Sequence, residues 1–583
     1  MYRAQSFPIS RPEAGSYSGL FESNTFWIFV IFAVCCLVLV PIPLFGIPEG
    51  YDIPQHLRFV ATFQESLLDG TLIPSWAAVD NYGLGSVGIR FYPPLTHYLM
   101  AVTQIFTGDW YNTLWINAFF WMFLGSVGVY LWAREFVSPT WSAFAALLYV
   151  TMPYHLMQIY VYMLLAEFAA AAILPFCFLF ATRVINRGNA RDVILFAISW
   201  SLLVLAHLPS TILGSACLGI YCLALIDRRN WKPAVLKLAA AFGMTMSATA
   251  FYVARLVTEL NWVQHSDPHY YATGIYDYRQ YLFPMILNTE ERLWKKMVLL
   301  VDIPTLLTFL FLVPPMLYIF FGRTSLREDP RFRRMFAALS VTGAFVIFIM
   351  SRLGTFVWDS VTLLQKVQFP FRFLMIASLL GAMAVALSMS FFLRDHKGRG
   401  RIVGYSFGTL MLASILFSMT QIVLPSAPQP RPQFAQLISD MREEPGCRCW
   451  WPTWGNELAL NNPTKVSAEG RDVSISEWGR EHRRFTIAAG APEAVRIATF
   501  YYPYWHAEVN GISSAVEKDE GGAILIPVAA EAAEVRLEFR EPLMLSAAKY
   551  FSLFSWILLA AAFAISYVLS RRNLLVDPVM INS

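Results

Sequence analysis

Charge is scarce in this chain. Asp, Glu, Lys and Arg make up 14% of its 583 residues, against about 25% in a soluble protein. That scarcity excludes an ordinary globular enzyme. Basic tracts are missing as well: Lys and Arg fall in short loops, which excludes a nucleic-acid surface. There is no internal repeat and no low-complexity segment. Cysteine is sparse, seven in all. Cys35, Cys36, Cys177, Cys217 and Cys222 sit in apolar runs and read as core packing. Cys447 and Cys449 have a spacing that suits neither a common zinc pattern nor an easy mutual disulfide. The first apolar run, 26–45, lacks a small-residue cleavage site and reads as an uncleaved anchor.

Apolar residues are plentiful, at 56%, and they come in runs that a globular core does not need. This pattern predicts a polytopic α-helical membrane protein. Spans are expected near 26–45, 112–133, 139–153, 164–185, 192–208, 211–227, 234–256, 299–322, 334–351, 373–393, 402–424 and 547–570. That is about twelve, judged against the ~20 residues a bilayer requires. Basic clusters at 183–191, 228–232, 323–334, 394–401 and 571–572 mark cytoplasmic loops by the positive-inside rule. Twelve spans with both termini cytoplasmic satisfy all five clusters. A thirteenth, at 92–107, does not, so that segment, opening on Pro93-Pro94, reads as a short or re-entrant helix.

Three parts follow. Residues 1–424 form a transmembrane domain with outer loops 46–111 and 257–298, and shorter outer segments at 154–163 and 352–372. Within the first loop, Leu57, Val60, Ala61, Gln64 and Leu68 recur on one side of 54–69, which predicts an interfacial helix. Residues 80–94, with Gly83, Gly85 and Gly88, read as a loop. Residues 425–546 are polar, with alternating or β-branched runs at 494–502, 523–528 and 533–539 and turns at Asn510-Gly511 and Gly521-Gly522. They predict an extracytoplasmic, sandwich-like β domain. Residues 547–583 are a final span and a short cytoplasmic tail.

The outer face carries the chemistry. Asp52, His56 and Arg58 stand within seven residues. Asp52 and His56 share a helix face if that segment is helical. Asp52 suits a general base or a metal ligand; His56 suits a residue orienting it or an anion ligand. The alternative is a solvated turn. Glu167 follows Tyr154-His155 and sits one turn into apolar sequence, where an ionisable group is functional by default; a structural hydrogen bond is the plain alternative. His207 lies in a tight outer turn, where a structural histidine is the commoner case. Gln368 and Arg372 flank Pro370 among phenylalanines, and an arginine there suits a lipid phosphate or simply snorkels. The loop 257–298 interleaves Tyr270, Tyr271, Tyr276, Tyr278 and Tyr281 with His265, Asp267, His269 and Asp277. It suits a carbohydrate site and an aromatic belt equally.

Several motifs recur in one order: Asp52-x-x-x-His56-Leu-x-Phe, Asp69-Gly70-x-Leu72-x-Pro74-x-Trp76, Tyr82-Gly83-x-Gly85, Tyr92-Pro93-Pro94-Leu95, Ala166-Glu167-Phe168, Ala206-His207-Leu208 and Gln368-Phe-Pro-Phe-Arg372-Phe-Leu. This series resembles the GT-C-fold membrane glycosyltransferases, and within them the bacterial membrane proteins labelled 6-pyruvoyl-tetrahydropterin synthase-related, a label without pterin chemistry. Tyr501-Tyr502-Pro503-x-Trp505-x-Ala507-x-Val509-Asn510-Gly511 is similar to the terminal β domain of YfhO-type glycosyltransferases.

The resemblance implies a bacterial inner-membrane enzyme. It would move a sugar from a polyprenyl-phosphate donor to an extracytoplasmic glycan, lipid or protein. It implies Asp52, His56 and Glu167 as catalytic, Arg372, Arg58 and His207 on the donor phosphate, and Tyr92, His155, Gln368, Tyr270 and Tyr271 around substrate. A divalent cation, Mg or Mn, is used by some such enzymes and not by others, and Asp52 is its candidate ligand. Where relatives often carry an arginine shortly before Glu167, this chain reads Tyr160-Val-Tyr162-Met163; if that arginine grips the donor phosphate, its role here falls to Arg372 or is lost. The competing expectations are a flippase for lipid-linked saccharides and a non-catalytic scaffold.

Overall fold

Apolar helices build the first 424 residues, and strands dominate the segment after them. The computed structural model describes residues 18–50, 52–229, 231–266, 277–287, 295–321, 330–395 and 397–576. Tyr270, Tyr271, Asp267, His269 and Tyr276 lie outside the described residues.

Among those described, nine helices are long and apolar enough to cross a membrane, and Trp231–Ala248 with Ala250–Trp262 forms one further pair bent by 72°. Two of the twelve expected spans are shorter than that. Pro139–Thr151 has 13 residues and Ala190–Ala206 has 17. The first is cut at Met152, which is extended (φ −60°, ψ 133°) because Pro153 follows it. The second stops at His207, also extended, and Pro209 opens the next helix. The 92–107 segment is a helix, Leu95–Thr107, ended by left-handed Gly108 (φ +63°). Its 13 residues rise about 20 Å at 1.5 Å each, too little to span a bilayer.

Leu165–Asn186 is the axis of the bundle, packed on Trp110–Ala133 and Ala190–Ala206. Small residues permit the approach: a Cβ on Gly125 would lie 2.9 Å from Ala172 Cα. At the end remote from the outer loops, Glu135 pairs with Arg183 (2.7 Å) and Arg187, and Asp227 with Arg334 (2.7 Å).

Residues Ile53–Leu68 are helical as expected, but the helix does not lie free at an interface. Leu57 and Val60 are buried; so are His56, Arg58, Phe59, Thr62, Phe63 and Ser66 around the rest of the circumference. The Leu95–Thr107 helix packs along it, and Trp450 of the C-terminal segment meets Phe59 from another side. Of the expected stripe, Leu57 and Val60 are buried, Ala61 and Gln64 are half-buried and Leu68 is exposed; periodicity is blind to cover supplied by the distant C-terminal segment.

The C-terminal strands form two antiparallel sheets. One runs Val466–Ser467, Glu493–Phe500, Ala523–Val528, Glu517–Lys518; the other runs Val473–Trp478, His482–Ile487, Ala533–Phe539, Trp505–Val509, Ile512–Ser514. Phe485, Ile487, Val535 and Leu537 from one sheet pack with Val495, Ile497, Ile524 and Ile526 from the other. Asn510 (φ +50°) and Gly511 (φ +79°) make the tight turn of the Trp505–Ser514 hairpin.

Two cysteine expectations need correction. Cys447 and Cys449 are disulfide-bonded, because the chain turns into Arg448–Trp450 and brings their Cα atoms to 5.3 Å. Cys36 is exposed on its helix, while Cys35, Cys177, Cys217 and Cys222 are buried as expected.

The β domain is joined to the membrane domain by a buried ionic cluster. Arg90 and Glu259, both with fully buried side chains, pair through Nε–Oε2 and Nη2–Oε1, each 2.8 Å. Arg90 Nη1 also donates to Glu541 (2.6 Å), which accepts from Arg255 (2.8 Å) and pairs with Lys549. Tyr502 donates to Glu259 (2.7 Å), and its ring, with those of Tyr504 and Phe539, lies 5.4–5.7 Å from the Arg90 guanidinium. Closer to the first-loop helix, the Gly446 amide donates to Asn81 and the Cys447 amide to Gln55, both at 2.9 Å.

Candidate active site

Glu167 enters apolar sequence in the first turn of Leu165–Asn186, where a helix favours a negative charge. It is 1% exposed, and a carboxylate so buried requires partners. Oε1 accepts from the Tyr154 hydroxyl and from Gln158 Nε2 (2.9 Å); Oε2 accepts from Arg372 Nε (3.0 Å). Gln158 is held in turn by His155 Nδ1 at 3.1 Å.

Arg372 sits in the short turn Pro370–Phe373, entered through Gln368 in a left-handed conformation (φ +71°). That turn reverses the chain so that the guanidinium meets Glu167 and not the lipid. Nη1 donates to the Val367 carbonyl (2.6 Å), and the group lies 5.0 Å from the Phe369 ring centre. Nη2 has no hydrogen-bond partner among the described residues, on a side chain 10% exposed. A fixed guanidinium with an unspent donor is an anion site.

The first loop supplies the other half. Asp52 is exposed, precedes the Ile53–Leu68 helix, and makes no side-chain capping bond there. One turn on, His56 is buried, its Nδ1 3.1 Å from His97 Nε2. Tyr92 stands edge-on to both rings at 5.2 Å. Trp450 closes over Tyr92 (5.7 Å) and is itself stacked by His265 (4.8 Å). Burial pushes the His56 imidazole below its ordinary value against the pull of Asp52, and does the same to His97. Burial likewise pushes the Tyr92 hydroxyl up, with the Asp52 charge adding to it.

These halves face one site. Tyr92 feels the charges of Asp52, Arg372 and Glu167, and His207 those of Arg372 and His56. Asp52, His56, Tyr92, Glu167, His207 and Arg372 are therefore brought together. His207 also has a structural duty, since its Nδ1 accepts from the Ser210 amide and meets Ser210 Oγ at 2.7 Å, capping Leu208–Leu225.

Other sequence candidates are placed elsewhere. Arg58 turns to the far side of its helix, toward Asp80 and Glu444, and burial lowers its affinity for a proton. Two residues from His56 is 200° around a helix, so the two cannot share a face. His155 is 2% exposed and lies behind Glu167, against Tyr149 (4.1 Å), not in the opening. Gln368 is half-buried, and its backbone N–H donates to the Gln365 carbonyl (3.0 Å). His97, Gln158 and Trp450 were not anticipated. His97 carried a signal: an ionisable residue in a segment read as re-entrant. Gln158 and Trp450 carried none. Among the described residues no three His, Cys, Asp or Glu side chains converge to hold a metal ion.

No curated protein is similar to the chain in sequence. Among solved structures it is similar to ArnT from Cupriavidus metallidurans, with 12% identity over 72% of this chain and 74% of that one, at a TM-score of 0.41. It is also similar to the arabinofuranosyltransferase AftD from Mycobacteria (13% identity, 69% of this chain, 27% of that one, TM-score 0.42). A third is the oligosaccharyltransferase AglB from Archaeoglobus fulgidus in complex with an inhibitory peptide and a dolichol-phosphate (14%, 73%, 56%, 0.41). Residues 89–424 match the model of a membrane-protein family, and that stretch holds Glu167, His207 and Arg372. The chain belongs to the family of membrane proteins described as 6-pyruvoyl-tetrahydropterin synthase related.

Proposed function

We propose that this protein is a membrane glycosyltransferase that takes a sugar from a polyprenyl-phosphate donor and passes it to an acceptor hydroxyl on the outer side of the membrane. One observation supports the reading: Arg372 is clamped by Glu167 and the Val367 carbonyl with Nη2 unspent, and Tyr92 lies within electrostatic reach of both it and the exposed carboxylate of Asp52.

The chemistry needs two things at once. The acceptor hydroxyl must lose its proton as its oxygen bonds to the anomeric carbon. The bond from that carbon to the phosphate oxygen breaks, and the departing polyprenyl phosphate must have its charge met. Asp52 takes the proton. Arg372 Nη2 donates to the phosphate, while Glu167, Tyr154 and Gln158 hold the guanidinium plane still. Tyr92 and Trp450 supply ring faces for the sugar. In this arrangement Arg372 takes the phosphate role of the arginine that relatives carry shortly before Glu167.

The test is release of free polyprenyl phosphate by purified protein in nanodiscs offered a panel of polyprenyl-phosphate sugars with candidate acceptors. Wild type should release it, and Asp52→Asn should do so about 10²–10⁴-fold more slowly while folding normally. No release from any donor, or equal release by the variant, refutes the assignment; the first of these results favours a scaffold.

A further inference from the structure

We propose that a groove at the first-loop end of the Trp110–Ala133 helix binds the headgroup of a phospholipid, and that the headgroup it fits is ethanolamine phosphate, with the phosphate on Arg431 and the ammonium on Asp109. None of Asp52, Glu167 and Arg372 lines this groove, and the proposal does not depend on the transferase reading.

Two distant pieces of chain build the groove. The helix Leu95–Thr107 ends at left-handed Gly108, and Asp109 then caps Trp110–Ala133, its Oδ1 accepting from the Tyr111 amide (2.9 Å). Arg431 opens the helix Arg431–Glu443 and crosses to that turn. Its Nη1 donates to Asp109 Oδ2 (2.5 Å), its Nη2 to Asn112 Oδ1 (2.8 Å), and the guanidinium lies 4.5 Å from the Tyr111 ring centre. Phe434, buried, meets Tyr111 edge-on at 6.0 Å. The pieces enclose a cavity of about 340 Å³, walled by Asp109, Trp110, Tyr111, Arg431, Phe434 and Ala435. That is the size of a small-molecule site and not of a single trapped water.

The walls suit a zwitterion. Arg431 Nε has no hydrogen-bond partner among the described residues, and each Asp109 oxygen, having accepted one hydrogen bond, can accept another. Free donors and free acceptors thus stand side by side, on side chains 56% and 31% exposed. One charge of each sign leaves the groove without net charge, so a purely anionic headgroup gains little there. A phosphate and an ammonium a few bonds apart each meet an opposite partner. The ammonium must carry N–H donors to bond the carboxylate, which a trimethylated nitrogen does not.

The level of the groove favours a lipid over a soluble zwitterion. Trp110 is the first residue of a helix long and apolar enough to cross a membrane, and aromatic residues there sit at headgroup depth. The helix leading into the groove leaves Val102, Ile105 and Phe106 exposed, Phe106 at 85%. These residues are three and four apart, so they share one side of the helix. An acyl chain laid along that side would place its headgroup in the groove.

Native mass spectrometry of the delipidated full-length protein tests this, with phosphatidylethanolamine, phosphatidylcholine and phosphatidylglycerol of identical acyl chains as probes. Wild type should retain one phosphatidylethanolamine about tenfold more tightly than either of the others. Asp109→Asn removes the negative charge but keeps an amide oxygen to cap Tyr111, and should lower phosphatidylethanolamine to the level of phosphatidylcholine. Ala435→Trp fills the groove with both charges in place and should abolish the retained lipid. Equal retention of the three lipids by wild type, or a preference that survives either variant, overturns the proposal. Displacement of the lipid by free phosphoethanolamine at equal concentration overturns the assignment to a lipid.

Discussion

The ionic cluster that seats the β domain makes a quantitative prediction. Glu259 accepts three hydrogen bonds, two from Arg90 and one from Tyr502, and neither Glu259 nor Arg90 has exposed side-chain area. In Glu259→Leu, Arg90 keeps the Ser75 carbonyl (3.5 Å) and one carboxylate, Glu541, which Arg255 and Lys549 already share. Three cations would then face one carboxylate. Breaking a buried pair from one side costs about 3–5 kcal/mol, mostly the price of the stranded charge. That is about 10²–10³·⁵ in the equilibrium for opening the interface. Hydrogen exchange at the amides of Ala250–Glu259 and Ala533–Phe539 should quicken by that factor. The companion variant separates charge from packing: in Arg90→Met/Glu259→Leu no charge is stranded, and most of the loss should be recovered. Wild-type exchange in the single variant, or additive losses in the double, would refute the account of how the domain is held.

Further predictions follow from the site and its surroundings. Arg372→Lys keeps the charge but loses the fixed planar fork, so donor turnover should fall at least tenfold in the phosphate-release assay. Glu167→Ala should do the same with Arg372 present, because the guanidinium loses its clamp; unaltered turnover would mean that Glu167 is purely structural. His265, pushed by burial and by the Lys366 and Arg372 charges from its ordinary 6.5 to about 4, is depressed in the folded state. Its neutral form therefore contributes stability above pH 6.5 that is lost as pH falls toward 4. Melting temperatures should drop through that window, and less so in His265→Gln. Cys447 and Cys449 should resist alkylation until the protein is reduced, as peptide mass spectrometry can show.

How much of this was legible beforehand depends on how local the cause is. The hairpin at Asn510-Gly511 was legible because a tight turn demands left-handed residues and these supply them. That Glu167 needs partners was legible, because a carboxylate one turn into apolar sequence must be hydrogen-bonded or paired. Its partner Arg372 stood out among phenylalanines, but the ion pair joins residues 205 apart and leaves no trace in either neighbourhood. The placement of Arg58 has a local cause: near His56 in sequence, it lies on the opposite side of the helix, toward Asp80 and Glu444. The cover over Ile53–Leu68 was illegible in principle, since hydrophobic periodicity reports that a face is buried and not how many partners bury the others. The Cys447–Cys449 bridge was missed because spacing was used in place of backbone geometry; the turn at Arg448 brings the two within bonding range.

Arg90 also sets a schedule. Its two carboxylate partners follow it by 169 and 451 residues. At ribosomal speeds of 5–20 residues per second, roughly 20–90 s pass between the emergence of Arg90 and that of Glu541. During that interval the first loop has been made, yet the wall that Trp450 and the β domain give it does not exist. The last strand and the final span are thus the step that completes the site. A nascent or truncated chain ending before residue 541 would carry Asp52, Glu167 and Arg372 but lack the Glu541 carboxylate that joins Arg90 to the end of the β domain. Synthesis order therefore makes the seating of the β domain a late event, completed only when residue 541 has been made.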